Sequence, residues 1–208
     1  MQRRQFIMLA SGVAASGLAT LGPAPAGAQS VDVEAILRDP AAPTGGNPKG
    51  DLTVVAFLDY NCPFCKKAAP DLARAVREDG KVRLVYKDWP ILTEASVFGA
   101  QLAIAANYQG AYEKVHRALM AVPGRGVGKA QMLKAVQASG VDLARLDADL
   151  KAHADDISAL LRRNLAQADS LGLQGTPTYL VGPFRTSTLD YATFKEAFAE
   201  ARRRQAAE

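Results

Sequence analysis

Two cysteines, Cys62 and Cys65, are the only ones in the chain, and they stand two residues apart in the segment Asn61-Cys62-Pro63-Phe64-Cys65. A Cys-x-x-Cys at the start of a helix is a site for thiol–disulfide exchange: a thiolate, not a thiol, attacks a disulfide sulfur, and unpaired N–H groups at a helix N-terminus favour the negative charge. Pro63 fits the first helical position, where its missing N–H costs nothing. On this reading Cys62 is the nucleophile and Cys65, one turn further in, is the thiol that resolves a mixed disulfide. The pair is then a redox-active Cys62–Cys65 disulfide, with no other cofactor and no metal. Three alternatives compete for the motif. A structural staple closing so short a loop removes little entropy from the unfolded chain. Zinc ordinarily needs four ligands, and His116 and His153 have no paired spacing. Covalent haem attachment needs a histidine where Lys66 follows Cys65.

A second element, Gly175-Thr176-Pro177-Thr178-Tyr179-Leu180-Val181, places a proline before another strand far downstream. The segments that must bring the two together follow an α/β order. Leu52 to Leu58 reads as a buried strand, and the helix from Pro63 runs to about Glu78 with a kink at Pro70. After Asp79-Gly80, Val82 to Tyr86 is the second strand of a right-handed, parallel β-α-β unit. From about Thr93 to Ser170 the period is helical, with four or five helices, and Gly124, Gly126 and Gly128 form a loop with no preceding strand. Thr178 to Val181 returns to the sheet, a short partner follows around Phe184 to Thr188, and a helix spans Tyr191 to Arg203. The expected organisation is an export signal over 1–28, a lead-in over 29–50 read as a linker after a short helix, a sheet domain from 51–92 and 172–205, and a helical insertion over 93–171.

At 208 residues with 49% hydrophobic content, the chain has enough apolar material for one core. Arg3 and Arg4, the apolar run Phe6 to Leu21 and the small residues Ala26-Gly27-Ala28 predict a cleavable export signal cut near Ala28, with a twin-arginine character favoured over the general secretory route. Loss of Arg3 and Arg4 reduces the formal charge from +4 to +2, which leaves no basic footprint for nucleic acid. The expected location is the periplasm, where disulfides form and persist.

Three runs together, Phe57 to Lys67, Tyr86 to Leu92 and Gly175 to Thr178, resemble the DsbA-like thiol:disulfide oxidoreductases, and most of all their Com1/ScsC-like branch, over roughly Ile36 to Arg203. The resemblance implies a thioredoxin fold with a helical insertion, a cis bond before Pro177, and a Thr176 backbone that pairs with a substrate peptide as an added strand. It also implies partners: cysteine-containing exported proteins and a membrane redox partner, either a quinone-linked oxidase or a reductant. Two positions depart from the family. Many relatives carry a proton-relaying glutamate in the first strand where this chain has Ala56, so a water or ion-pair role for Lys87, paired to Asp59, is one substitute and a solvated strand-end charge the other. Phe64 replaces the histidine of the strong oxidants and cannot stabilise a thiolate by charge, so the Cys62 pKa should fall less than in those enzymes and the couple should be less oxidising. His116 reads as a core histidine and His153 as a surface one; Tyr60 and Trp89 read as core more readily than as walls of a peptide groove. The short lead-in favours a monomer. The expected activity is dithiol oxidation; disulfide isomerisation or reduction, and a non-catalytic thiol chaperone or copper-handling role, are the rivals.

Overall fold

The computed structural model describes residues 31–207, and the export-signal expectation for 1–28 lies outside them. A five-stranded sheet runs in the order β1-β3-β2-β4-β5, from β1 (Thr44–Gly46), β2 (Leu52–Leu58), β3 (Val82–Asp88), β4 (Thr178–Val181) and β5 (Phe184–Thr186). The central strand β2 pairs in parallel with β3 and antiparallel with β4. Its seven residues, Leu-Thr-Val-Val-Ala-Phe-Leu, are almost all buried because both faces of the sheet are covered, so the strand reads as a continuous apolar run rather than an alternating one. Leu52, Val54, Ala56 and Leu58 pack with α2 (Pro63–Asp79) and α8 (Tyr191–Gln205); Val55 and Phe57 pack on the other face with Ile36 of α1 (Val33–Leu37) and Ala168 of α7 (Ala154–Ser170).

Helix α2 follows β2 through a short turn and ends at Gly80, whose φ of +69° is the left-handed conformation that glycine adopts without steric cost and whose N–H closes on Val76 O at 3.1 Å. It continues through Pro70, which has no N–H for the Lys66 carbonyl. Between β3 and β4 stand α3 (Glu94–Asn107), α4 (Tyr112–Met120), α5 (Lys129–Ala138), α6 (Leu143–Ala152) and α7, the helical insertion expected from the sequence period. Among the described residues, no helix is long and apolar enough to cross a membrane.

Two features differ from the sequence reading. Residues 44–46, read as part of a linker, form edge strand β1 antiparallel to β3. Gly46 makes this possible: its φ is +67°, and a Cβ there would lie 2.4 Å from Val82 O. Lys87 is neither solvated nor paired with Asp59. It is fully buried on the Phe57 side of the sheet, opposite to Ala56, because its register partner is Phe57. Its Nζ donates to Asp39 Oδ2 at 2.7 Å. Arg163 of α7 donates to the same carboxylate from Nε at 2.9 Å and from a terminal nitrogen at 3.0 Å. Asp39 therefore joins the lead-in, β3 and α7. Burial alone would raise its carboxyl pKa, but the bonds from Arg163 and Lys87 hold it at about 2.

The folded value lies below the ordinary 3.8, so the stabilising contribution is present above that value and lost as the pH falls through about 2. It amounts to about 2 kcal/mol. Asp39→Asn should lower the unfolding free energy at pH 7 by at least that amount, and by about 3 kcal/mol if the lysine is left buried and unpaired. Urea melts of wild type and variant should converge as the pH approaches 2; a gap that stays constant with pH would contradict this account.

Candidate active site at the start of the second helix

Cys62 is the N-cap of α2, with extended backbone (φ −76°, ψ 115°), and its Sγ accepts the Cys65 N–H at 3.3 Å. A sulfur thus takes the capping place usually filled by a serine or aspartate oxygen. Pro63 occupies the first helical turn, as its fixed φ and missing N–H predict. Both cysteines are free thiols and both are buried, Cys65 completely. Phe64, between them, is 54% exposed.

Upstream, the turn is held by Asp59. Its carboxylate accepts the Asn61 N–H at 2.7 Å, the Leu92 N–H at 3.0 Å and the Ser96 hydroxyl at 2.7 Å, while its carbonyl accepts the Cys62 N–H at 3.1 Å. Asn61 then reaches into the insertion: its side-chain oxygen accepts the Val127 N–H at 2.7 Å, and its amide donates to Val127 O at 3.2 Å and to the Thr93 hydroxyl at 2.8 Å. Sequence reasoning assigned no structural part to Asn61. An Asp-x-Asn pair placed just before a helix cap is the local signal, since both side chains are short hydrogen-bonding groups that favour turns.

Across the sheet, β4 brings Thr176 and Pro177 to the sulfurs. The Thr176–Pro177 peptide is cis, as the resemblance implied. The Cys62 thiol donates to Thr176 O at 3.1 Å. The backbone stretch expected to pair with a peptide therefore lies against the sulfur expected to react.

The two thiols occupy opposite electrostatic environments. The Cys65 thiol, facing Cys62, is the largest influence and lowers the Cys62 pKa; burial opposes it, and a Thr176 side-chain bond and the Cys65 and Phe64 N–H groups assist, for a value of about 6. The Thr176 carbonyl, by contrast, favours the protonated sulfur, since it accepts the S–H. Burial pushes the Cys65 thiol far upward, and a charged Cys62 adds to the effect. At neutral pH the arrangement presents one thiolate and one thiol. A value near 6 lies between that of thioredoxin, about 7, and that of DsbA, about 3.5.

The remaining candidates separate from the site. His116 is buried, with Nδ1 3.1 Å from the Tyr60 hydroxyl, and burial lowers its pKa to about 3, so it is a neutral core histidine. His153 stands at the N-cap position of α7 with no capping bond from its side chain, and its ring stacks on Tyr108 with centroids 3.7 Å apart. Tyr60 and Trp89 are both core residues, 1% and 4% exposed.

A family profile described as Thioredoxin matches residues 39–200. Among solved structures, the chain is similar to a thioredoxin-like oxidoreductase from Silicibacter pomeroyi DSS-3, at 38% identity and a TM-score of 0.75, covering 82% of this chain and 97% of that one. It is similar also to the thiol-disulfide exchange protein alpha-DsbA2 from Wolbachia pipientis, at 26% identity and a TM-score of 0.75, covering 80% and 90%. The catalytic domain of Proteus mirabilis ScsC gives 26% identity and a TM-score of 0.72, covering 84% and 96%. Of the curated proteins, the Na(+)/H(+) antiporter NhaA 3 of Salinispora tropica is 31% identical over 169 residues, 76% of this chain. The chain spans about a quarter of the length of the curated relatives it matches.

Alkylation of the reduced protein should modify Cys62 with a rate that rises around pH 6 and leave Cys65 untouched at pH 8. Cys65→Ala, which removes the facing S–H, should raise that midpoint by about one unit or more, while Cys65→Ser, which keeps a donor, should raise it less. A wild-type midpoint of 8 or above would contradict the geometry.

Proposed function

The chain belongs to the thioredoxin family, and on that premise we propose that it is a thiol:disulfide oxidoreductase acting on cysteine-containing exported proteins, with Cys62 as nucleophile and Cys65 as resolving thiol. The observation that carries this is the Cys62 sulfur itself, capping α2 and lying 3.1 Å from Thr176 O. In the oxidising direction, a substrate thiolate attacks one sulfur of the Cys62–Cys65 disulfide and forms a mixed disulfide with Cys62. A second substrate thiolate displaces Cys62, which leaves as a stabilised thiolate, and two electrons pass to the pair. A leaving thiolate with a lowered pKa departs faster and favours the reduced enzyme, which makes the couple oxidising. The Thr176-Pro177 segment is the platform for the substrate backbone, paired as an added strand. Exposed Phe64 offers the substrate an apolar contact.

The location proposed is the periplasm, on the strength of the Arg3-Arg4 segment and the small-residue cleavage site. The reset is assigned to a membrane redox partner: a quinone-linked oxidase for the dithiol-oxidase reading, which we favour, or a reductant for an isomerase or reductase. The uncharged Phe64 supports a moderate couple rather than a strongly oxidising one. The chain is taken to act as a monomer.

Equilibration with glutathione should place the potential between about −270 mV and −120 mV, the values typical of thioredoxin and DsbA. Insulin reduction and refolding of scrambled ribonuclease should both be lost in Cys62→Ser. A variant as active as wild type would overturn the enzyme reading, and a potential at or above −120 mV would overturn the moderate couple.

A further inference from the structure

The chain leading into Pro177 leaves its backbone donors unbonded. The Leu173 N–H still returns to Ala168 O at 2.9 Å and closes α7, but the N–H groups of Gln174, Gly175 and Thr176 find no acceptor among the described residues. Gln174 is exposed, and Gly175 and Thr176 are half-buried, so solvent or a second chain can reach the row. A Cβ placed on Gly175 would meet no atom within 4 Å, which leaves space beside the row for that chain. This is the segment whose Thr176 carbonyl touches the Cys62 sulfur.

The space belongs to a cleft of about 590 Å³ lined on one side by Gly172 to Thr178 and on the other by Arg185 to Thr188. Its lining is hydroxyls, the Gln174 amide and backbone, and among the described residues Arg185 is its one charged side chain. Two contacts place that residue. On β5 it is in register with Leu180 of β4, and its Nη1 donates to Leu171 O, the C-cap of α7, at 2.8 Å. A cation is favoured at the negative end of a helix, so the guanidinium is held where it stands. That bond uses one of five guanidinium N–H groups, and no carboxylate lines the cleft to occupy the others.

We propose that Arg185 selects substrates carrying an acidic residue a few positions from the reacting cysteine. The proposal deepens the oxidoreductase reading and rests on it. The guanidinium is fixed at Leu171, beyond the three open residues, so a peptide with its cysteine at Cys62 and its backbone along Thr176 to Gln174 brings about its third or fourth residue to Arg185. A carboxylate there receives charge-assisted, two-pronged hydrogen bonds, and an ammonium there meets like charge. A role confined to capping α7 would be indifferent to the charge of the peptide.

Oxidised protein is mixed with reduced two-cysteine peptides that are identical except at the third and fourth positions outside the cysteines, Glu in one and Lys in the other. The peptide thiols close to a disulfide, the Cys62–Cys65 bond opens to two thiols, and two electrons and two protons pass to the enzyme pair. Mass spectrometry follows the loss of peptide thiol. Each rate is divided by the rate of the same peptide with hydroxyethyl disulfide, a neutral reference that corrects for the effect of its charges on its own thiols. At low ionic strength the wild type should oxidise the Glu peptide about fivefold faster than the Lys peptide, and the ratio should shrink in ~0.5 M salt. Arg185→Glu should reverse the preference. Lys66 and Lys67 beside the motif also attract acidic peptides, so a preference that persists unchanged in Arg185→Glu would overturn the proposal. Should that variant fail to fold, since a carboxylate is disfavoured at the end of α7, Arg185→Gln is measured instead: a ratio below about twofold supports the proposal and an unchanged one overturns it. Wild-type oxidation of both peptides at rates within twofold would overturn this proposal alone, whereas a wild type inert toward both would overturn the proposed function and this proposal with it.

Discussion

The N-terminus of α2 is the constraint on which the rest depends. A sulfur that caps a helix must accept N–H groups, and a negatively charged sulfur accepts them better than a neutral one. Once Cys62 takes the cap and Pro63 the first helical position, Cys65 falls one turn inside, under the helix and against the sheet. One helical turn therefore separates an ionised sulfur from a protonated one. The difference arises from burial, hydrogen-bond direction and the charge of Cys62 on its neighbour, with no charge from Phe64.

The surrounding fold holds that turn from three sides. From β2, Asp59 ties the Asn61, Leu92 and Ser96 donors into the loop before the cap. From the insertion, Val127 is locked to Asn61, and Lys66 of α2 reaches back to Gly124 O at 3.0 Å. From β4, Thr176 closes on the sulfur. Two elements distant in sequence, the insertion and β4, join Asp59 in holding this turn, so the helical insertion is part of the site's support as well as a cover. The opposite face of the sheet is anchored by Asp39 with Lys87 and Arg163, which fixes β3 and α7 without touching the thiols.

Much of this was legible in the residues. An apolar run buried on both faces, a proline at a helix start, a glycine at a helix end and a long helical period each state a local preference, and β2, α2 and the insertion follow them. The cis peptide before Pro177 was legible through the family resemblance rather than from the residues themselves. What stayed hidden was set by partners far along the chain. Lys87 at a strand end carries no mark of burial until Asp39 and Arg163 are placed beside it, 48 and 124 residues apart along their respective bonds. Strand β1 lies in a proline- and glycine-rich stretch whose composition argues for a loop, and only the close approach of Gly46 to Val82 explains it. Arg185 looks like one more solvated charge on a short strand; its seat at the end of α7 and the cleft it shares with Thr176 exist only in three dimensions.

The division of labour between the two sulfurs is most directly tested by trapping. Cys65→Ser and Cys62→Ser variants, expressed as the full chain, are acid-quenched and their disulfide-linked adducts identified by mass spectrometry. The account predicts mixed disulfides between Cys62 and exported proteins that accumulate in Cys65→Ser and are absent from Cys62→Ser. Adducts carried instead by Cys65 in the Cys62→Ser variant would contradict it.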